Sequence, residues 1–90
     1  MSDVANGSVY SADGTVKGSA GVVHMLEIIP NSAIGTVILR DGGSAGTQRW
    51  KAQTGAIDEE SRVITFHPGL SFGTDIYVDV TDCTVSVLFT

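Results

Sequence analysis

Histidine, cysteine and aspartate are the residues of this 90-residue chain whose chemistry would suit catalysis or metal binding. His24 lies inside an apolar segment and His67 precedes a proline, and neither has a second ligand at a metal-binding spacing. Cys83 has no partner for an internal disulfide, and its place between two apolar segments is typical of a small packing residue. These residues therefore indicate structural roles rather than zinc binding or thiol chemistry.

Carboxylates gather in two places, at 58–60 and at Asp75, Asp79 and Asp82. Paired carboxylates act as general acid and base in some enzymes, but loop charges are more often simply solvated. The segment 41–44 lacks the alternating acidic ligands and distal glutamate of a calcium loop. No serine lies in a nucleophile elbow, and no glycine-rich loop precedes a helix. The sequence predicts a non-enzymatic protein without a metal or cofactor.

Length and charge restrict the function classes further. Ninety residues suffice for one domain with a single core. The net charge of -5, without a cluster of lysine or arginine, argues against nucleic acid as a partner. No apolar stretch is long enough to span a bilayer, and the first residues do not resemble a secretion signal, so we expect neither membrane association nor export.

Strands are the elements that must position these residues, because apolar and polar residues alternate with a period of two between turn residues. Gly21–Ile29 is nearly all apolar and ends at a proline, which predicts a central strand. The further predicted strands are Thr36–Arg40, which forms a hairpin with Thr47–Gln53, then Ser61–His67, Ile76–Val80 and Thr84–Phe89. The fold class is therefore all-β, a single small antiparallel β-sandwich over residues 21–90.

The connecting segments differ in composition. Residues 1–20 are rich in glycine, serine, alanine and aspartate, with a short hairpin around Asp13-Gly14, and they predict a flexible, extended N-terminal arm. Thr54–Glu60 is predicted as a polar loop, and His67–Gly73 as an ordered connection with Leu70 and Phe72 pointing inward.

Alternation also assigns the faces of the strands. The residues predicted to face the core are Leu26, Ile28, Val37, Leu39, Trp50, Ile64, Phe66, Ile76, Val78, Val80, Val85, Val87 and Phe89. Apolar residues then also face outward, and we predict that they form a subunit interface. The predicted interface residues are Val23, Met25, Ile38, Val63, Tyr77 and Leu88, with Ile29 also facing outward. Two alternatives are that a bulge changes the alternation or that the arm covers this face.

Three segments carry a resemblance to a known group of proteins. They are Ile34–Gly42, Ile64–Val78 and the last strand Val85–Phe89. Over about residues 21–90 the chain resembles small virion proteins of tailed bacteriophages, in which a T-x-L-x-D-G strand and turn precede a P-G-(L/I)-x-F-x-T-G-(L/I)-Y-V segment. Two departures are Arg40, which lengthens the strand end, and Asp75, which replaces a small turn residue.

The resemblance implies a jelly-roll-like sandwich that decorates or cements the outside of a phage head and binds the major capsid protein. It implies a virion location and no catalytic residues. Local three-fold positions on a capsid would favour a homotrimer. We expect the arm to contact the shell or a neighbouring subunit.

Two alternatives follow from the same sequence. A tail-fibre type of carbohydrate-binding module would stack Trp50, Tyr10 and Tyr77 on sugar rings, although alternation assigns Trp50 to the core. A neck or tail component would have the same fold at a lower copy number, since fold does not fix a position on the particle.

Overall fold

The computed structural model describes residues 6–31, 34–54 and 61–90. These residues form eight strands: β1 (Asn6–Tyr10), β2 (Gly14–Lys17), β3 (Gly21–Pro30), β4 (Thr36–Asp41), β5 (Thr47–Gln53), β6 (Arg62–Phe72), β7 (Ile76–Thr81) and β8 (Cys83–Phe89). A 3₁₀ turn, Gly43–Ala45, lies between β4 and β5. Over the same ranges, no helix is long and apolar enough to cross a membrane.

The strands form two antiparallel sheets of four. Sheet A has the order β1-β8-β3-β6, and sheet B has the order β2-β7-β4-β5. Strand β1 therefore pairs with β8, β2 with β7, β3 with β6 and β4 with β5. These successive pairs alternate between the two sheets. This is the arrangement of a jelly roll, in which one long hairpin is wound into two packed sheets. The predicted β-sandwich is confirmed.

The core lies between the sheets and is built from alternate residues of each strand. The most deeply buried side chains are Val23, Leu26, Ile28, Val37, Leu39, Phe72, Ile76, Val78, Cys83, Val85 and Val87. The residues predicted to face inward do so, and Trp50, Ile64 and Phe66 are half-buried at the margin of the core. Period-two alternation therefore assigned most of the core correctly.

Val23 is the exception, because it was predicted to face outward and has 0% of its surface exposed. The register of β3 shifts between Val23 and Met25 against both neighbouring strands. The irregularity at His24 changes the alternation, so that Val23 and Leu26 both face the core although they are three residues apart. The prediction that Val23 lies in an interface is therefore wrong.

Of the predicted N-terminal arm, 1–20, the strands β1 and β2 instead belong to the two sheets, and residues 1–5 lie outside the described residues. β1 pairs with β8 along its whole length, and β2 pairs with β7. Tyr10 packs against the core and Val16 is buried within it. Because β1 and β2 belong to different sheets, they do not form the predicted hairpin around Asp13-Gly14. The Asp13 carboxylate accepts a hydrogen bond from Val80 N at 2.7 Å and so holds the turn against β7.

The segment His67–Phe72, expected to be a connection, belongs to β6, with Phe72 buried and Leu70 packed against the core. Of the predicted polar loop, residues 55–60 lie outside the described residues. Thr54 closes the open end of the β4–β5 hairpin, since its side-chain oxygen accepts the Gly35 N–H at 2.8 Å.

Candidate interaction surface

The outer face of sheet A carries apolar side chains on all four strands. Val9 of β1 is 68% exposed and Val63 of β6 is 59% exposed, at the two margins of the sheet. Between them, Met25 of β3 and Leu88 of β8 lie directly opposite each other in the strand register. Ile29 of β3 is also exposed. We call these five residues the sheet A patch.

Polar residues lie between the apolar residues of this face. Ser86 lies opposite both Val9 and Glu27, and Glu27 lies opposite Val63. Directly opposed side chains have Cβ atoms about 4.5–5.5 Å apart, so adjacent members of this row are within contact distance. The patch is therefore a mixed surface with a single carboxylate among its apolar groups, a composition typical of protein interfaces.

The outer face of sheet B has a different character. Arg40 of β4 and Asp79 of β7 form an ion pair across the strands. Ile38 lies between Asp79 and Lys51 in the strand register, and Tyr77 lies between Thr15 and Arg40. Each apolar residue on this face is therefore bordered by polar neighbours.

The structure divides the predicted interface residues among three places. Val23 is in the core, and Met25, Val63 and Leu88 lie on the outer face of sheet A. Ile38 and Tyr77 lie on the outer face of sheet B, on the other side of the sandwich. Packed sheets are about 10 Å apart, so one flat contact does not include both groups.

The β4–β5 turn and the β6–β7 turn, which overlap the segments 34–42 and 64–78, are joined by reciprocal hydrogen bonds. The Asp41 carboxylate accepts the backbone N–H groups of Gly73 at 2.8 Å, Thr74 at 2.8 Å and Asp75 at 3.3 Å. In return, the Asp75 carboxylate accepts those of Gly42 at 2.9 Å and Gly43 at 3.0 Å. The β4–β5 turn and the β6–β7 turn therefore hold each other through two carboxylates.

The backbone conformation of the β4–β5 turn explains why it contains two successive glycines. Gly42 and Gly43 have φ of 110° and 80°, in the left-handed region that side chains rarely adopt. Successive N–H groups in this conformation form a concave site for an anion, and Asp75 supplies the anion. Hydrogen bonds from Gly73 and Thr74 lower the pKa of Asp41 below its ordinary value of 3.8. Sequence reasoning missed this role for Asp75, because the partner turn is 32–33 residues away.

The carboxylates of Asp75, Asp79 and Asp82, which are close together in the sequence, are separated in the structure. Asp75 precedes β7 and Asp82 follows it, about 23 Å apart if the strand is fully extended. Asp79 lies within β7, where it pairs with Arg40. In residues 6–31, 34–54 and 61–90, no group of three or more histidine, cysteine or acidic side chains is arranged to hold a metal ion.

His24 and Cys83 each contribute to the fold through contacts with other segments. His24 Nε2 is 2.9 Å from Thr90 Oγ1, a hydrogen bond that ties β3 to the end of the chain. Cys83 is buried beside Gly35, and burial raises the pKa of its thiol. A protonated, buried thiol is a poor nucleophile, in agreement with the packing role indicated by the sequence.

The aromatic residues proposed for sugar stacking do not share a surface. Trp50 packs against the core and against Phe66, with ring centroids 5.5 Å apart and an interplanar angle of 87°. Tyr10 also packs against the core, and its hydroxyl donates to Thr15 O at 3.3 Å. Only Tyr77 lies on an outer face, and no concave pocket opens in the described part of the molecule.

No protein-family model, curated protein or solved structure matches this chain.

Proposed function

We propose that this chain is a non-enzymatic virion protein that decorates or cements a phage head by binding the major capsid protein through the outer face of sheet A. The observation that carries this proposal is the difference between the two outer faces. The sheet A patch has apolar residues on all four strands, with Met25 directly opposite Leu88, whereas on sheet B Ile38 and Tyr77 lie opposite charged and polar residues only.

The energetics suit a decorating role. Burial of apolar surface contributes about 25 cal/mol per Å², so docking of the exposed valines at the patch margins supplies a larger favourable term than the half-buried Ile38 and Tyr77 of sheet B would. The jelly roll adds a rigid support, because the patch residues lie on paired strands rather than on loops. Jelly rolls are also a common architecture of viral capsid domains, although fold by itself does not assign function.

Copy number is the first test of position on the particle. Quantitative mass spectrometry of purified virions would measure the molar ratio of this chain to the major shell protein. A ratio of the same order as the shell protein supports decoration of the head. A ratio far below it would assign the chain to the neck or tail, and complete absence would refute a virion role.

Paired charge substitutions test the surface. Val63→Glu and Gln53→Glu each place a carboxylate on an exposed strand position, the first on sheet A and the second on sheet B. We expect Val63→Glu to weaken binding to heads that lack this protein by about tenfold or more, and Gln53→Glu to bind like the wild type. Pelleting of heads with labelled protein measures both. Equal binding by the two variants would contradict the proposed surface.

A further inference from the structure

The strands at the margins of the sheets differ in how well they are protected against pairing with another chain. An edge strand presents unpaired N–H and C=O groups, and proteins discourage such pairing with charges, proline, bulges or very short strands. The edges described by the structure are β1 and β6 in sheet A and β2 and β5 in sheet B.

Three of these edges carry protective features. β6 contains Arg62 and Pro68, and its register with β3 shifts. β5 carries Arg49 and Lys51, and its register with β4 also shifts. β2 is only four residues long, with a register shift before Lys17.

β1 has none of these features. Its sequence, NGSVY, contains no charge and no proline, and its register with β8 is unbroken over all five residues. In the described part of the chain, no strand pairs with its other side. Val9 at this edge is also the most exposed of the large hydrophobic residues described.

We propose that β1 pairs antiparallel with β1 of a second copy of this chain, about a two-fold axis at Ser8, and joins the two copies of sheet A into one eight-stranded sheet. This register pairs all five residues of the strand. It places Gly7 opposite Val9 of the partner subunit, and both positions belong to the outer face.

The composition of β1 favours pairing of its free edge with a second copy of this chain. A two-fold contact brings the same strand against itself, so any charge within it would meet a like charge, and β1 has none. The valines of the two copies are diagonal neighbours, about 7–8 Å apart, and each shields apolar surface of the other. A charged partner strand would gain no complementary charge from this edge.

This inference goes beyond the proposed function and does not depend on it. It also differs from the homotrimer expected from capsid symmetry, since a two-fold contact closes on itself with two subunits. The interface is small, so we expect the association to depend on protein concentration.

Sedimentation equilibrium of the full chain, from about 1 μM to about 1 mM, measures the mass across the range in which such a contact would form. We expect the mass to rise from 9.4 kDa toward twice that value. Val9→Glu should raise the dissociation constant by about tenfold or more, because it sets two carboxylates diagonally across the axis. Gln53→Glu, an equally charged change on the β5 edge, should leave the dissociation constant unchanged.

A cysteine cross-link locates the contact without relying on Val9→Glu remaining folded. Ser8→Cys places two thiols opposite each other at the axis, within the Cα separation of 4.4–6.8 Å usual for disulfides. Mild oxidation should give a covalent dimer, whereas Thr15→Cys on the β2 edge should not. The proposal is overturned by a constant mass of 9.4 kDa, by a trimer, or by a dimer that Ser8→Cys does not cross-link.

Discussion

At the scale of single residues, Asp41 does more for the fold than its place at the end of β4 would suggest. Its carboxylate accepts three backbone N–H groups from the β6–β7 turn. Hydrogen bonds of this kind favour the ionised form, because the negative charge strengthens each of them. Asp41, at the end of β4, therefore connects two turns that are distant in the sequence.

We expect Asp41→Asn to lower the melting temperature at neutral pH by a few degrees. The amide keeps one acceptor oxygen, but its NH₂ group faces backbone donors where the second carboxylate oxygen had accepted a hydrogen bond. Thermal unfolding followed by circular dichroism measures the change. Glu27→Gln, on the outer face of sheet A, removes the same charge away from the turns and should have a smaller effect.

The comparison of wild type with Asp41→Asn also predicts how the difference in their melting temperatures changes with pH. The pKa of Asp41 lies below 3.8 in the folded protein, and 3.8 is its ordinary value. The stabilisation is therefore fully present above about 3.8 and is lost as the pH falls through the folded pKa. The difference in melting temperature between wild type and Asp41→Asn should shrink on acidification below that range. A difference that grows toward low pH would contradict the assignment.

At the scale of elements, the β4–β5 hairpin packs at its open end against the turn between β7 and β8. A Cβ atom on Gly35 would lie 2.8 Å from Cys83 Cβ and 2.9 Å from Asp82 O. Contacts this short would force one of the two segments to move, because Asp82 O is a backbone atom. The absence of a side chain at Gly35 is thus a condition for this approach.

We expect Gly35→Ala to destabilise the protein by about 1–3 kcal/mol, the usual cost of overpacking a well-packed site. Gly18→Ala is the matched control, because a Cβ atom there meets nothing within 4 Å. Urea unfolding of both variants, monitored by Trp50 fluorescence, measures the two free energies of unfolding. Equal stabilities would show that the Gly35 site relaxes without cost.

At the scale of the whole molecule, the jelly roll makes residues 6–17 part of the domain. β1 and β2 are edge strands of different sheets, and each covers one side of a strand near the C-terminus. Tyr10 and Val16 contribute to the core from these strands. Stability therefore depends on contacts between the two ends of the chain.

Deletion of residues 1–17 should abolish cooperative unfolding or leave a protein that aggregates. It removes one strand from each sheet and leaves the edges of β7 and β8 unpaired. Near-UV circular dichroism and calorimetry of the truncated chain measure the loss. A truncated protein with wild-type unfolding would show that these strands are dispensable, as expected for the arm predicted from the sequence.

The candidate surface was predicted only in part from the sequence. Met25, Val63 and Leu88 were predicted to face outward and share the outer face of sheet A. Tyr77 and Ile38 also face outward, but on the other sheet. Alternation tells which residues point away from a core, and it does not tell which sheet a strand joins.

The sequence by itself determined the fold class, most strand positions and most of the core, because period-two alternation and turn residues act over short distances. Only the tertiary structure decided the irregularity that buries Val23, the membership of β1 and β2 in different sheets, and the pairing of Asp41 with a turn about thirty residues away. Each of these depends on contacts between segments distant in the chain. Local patterns carry no information about such contacts, since they form only when the whole chain winds into its two sheets.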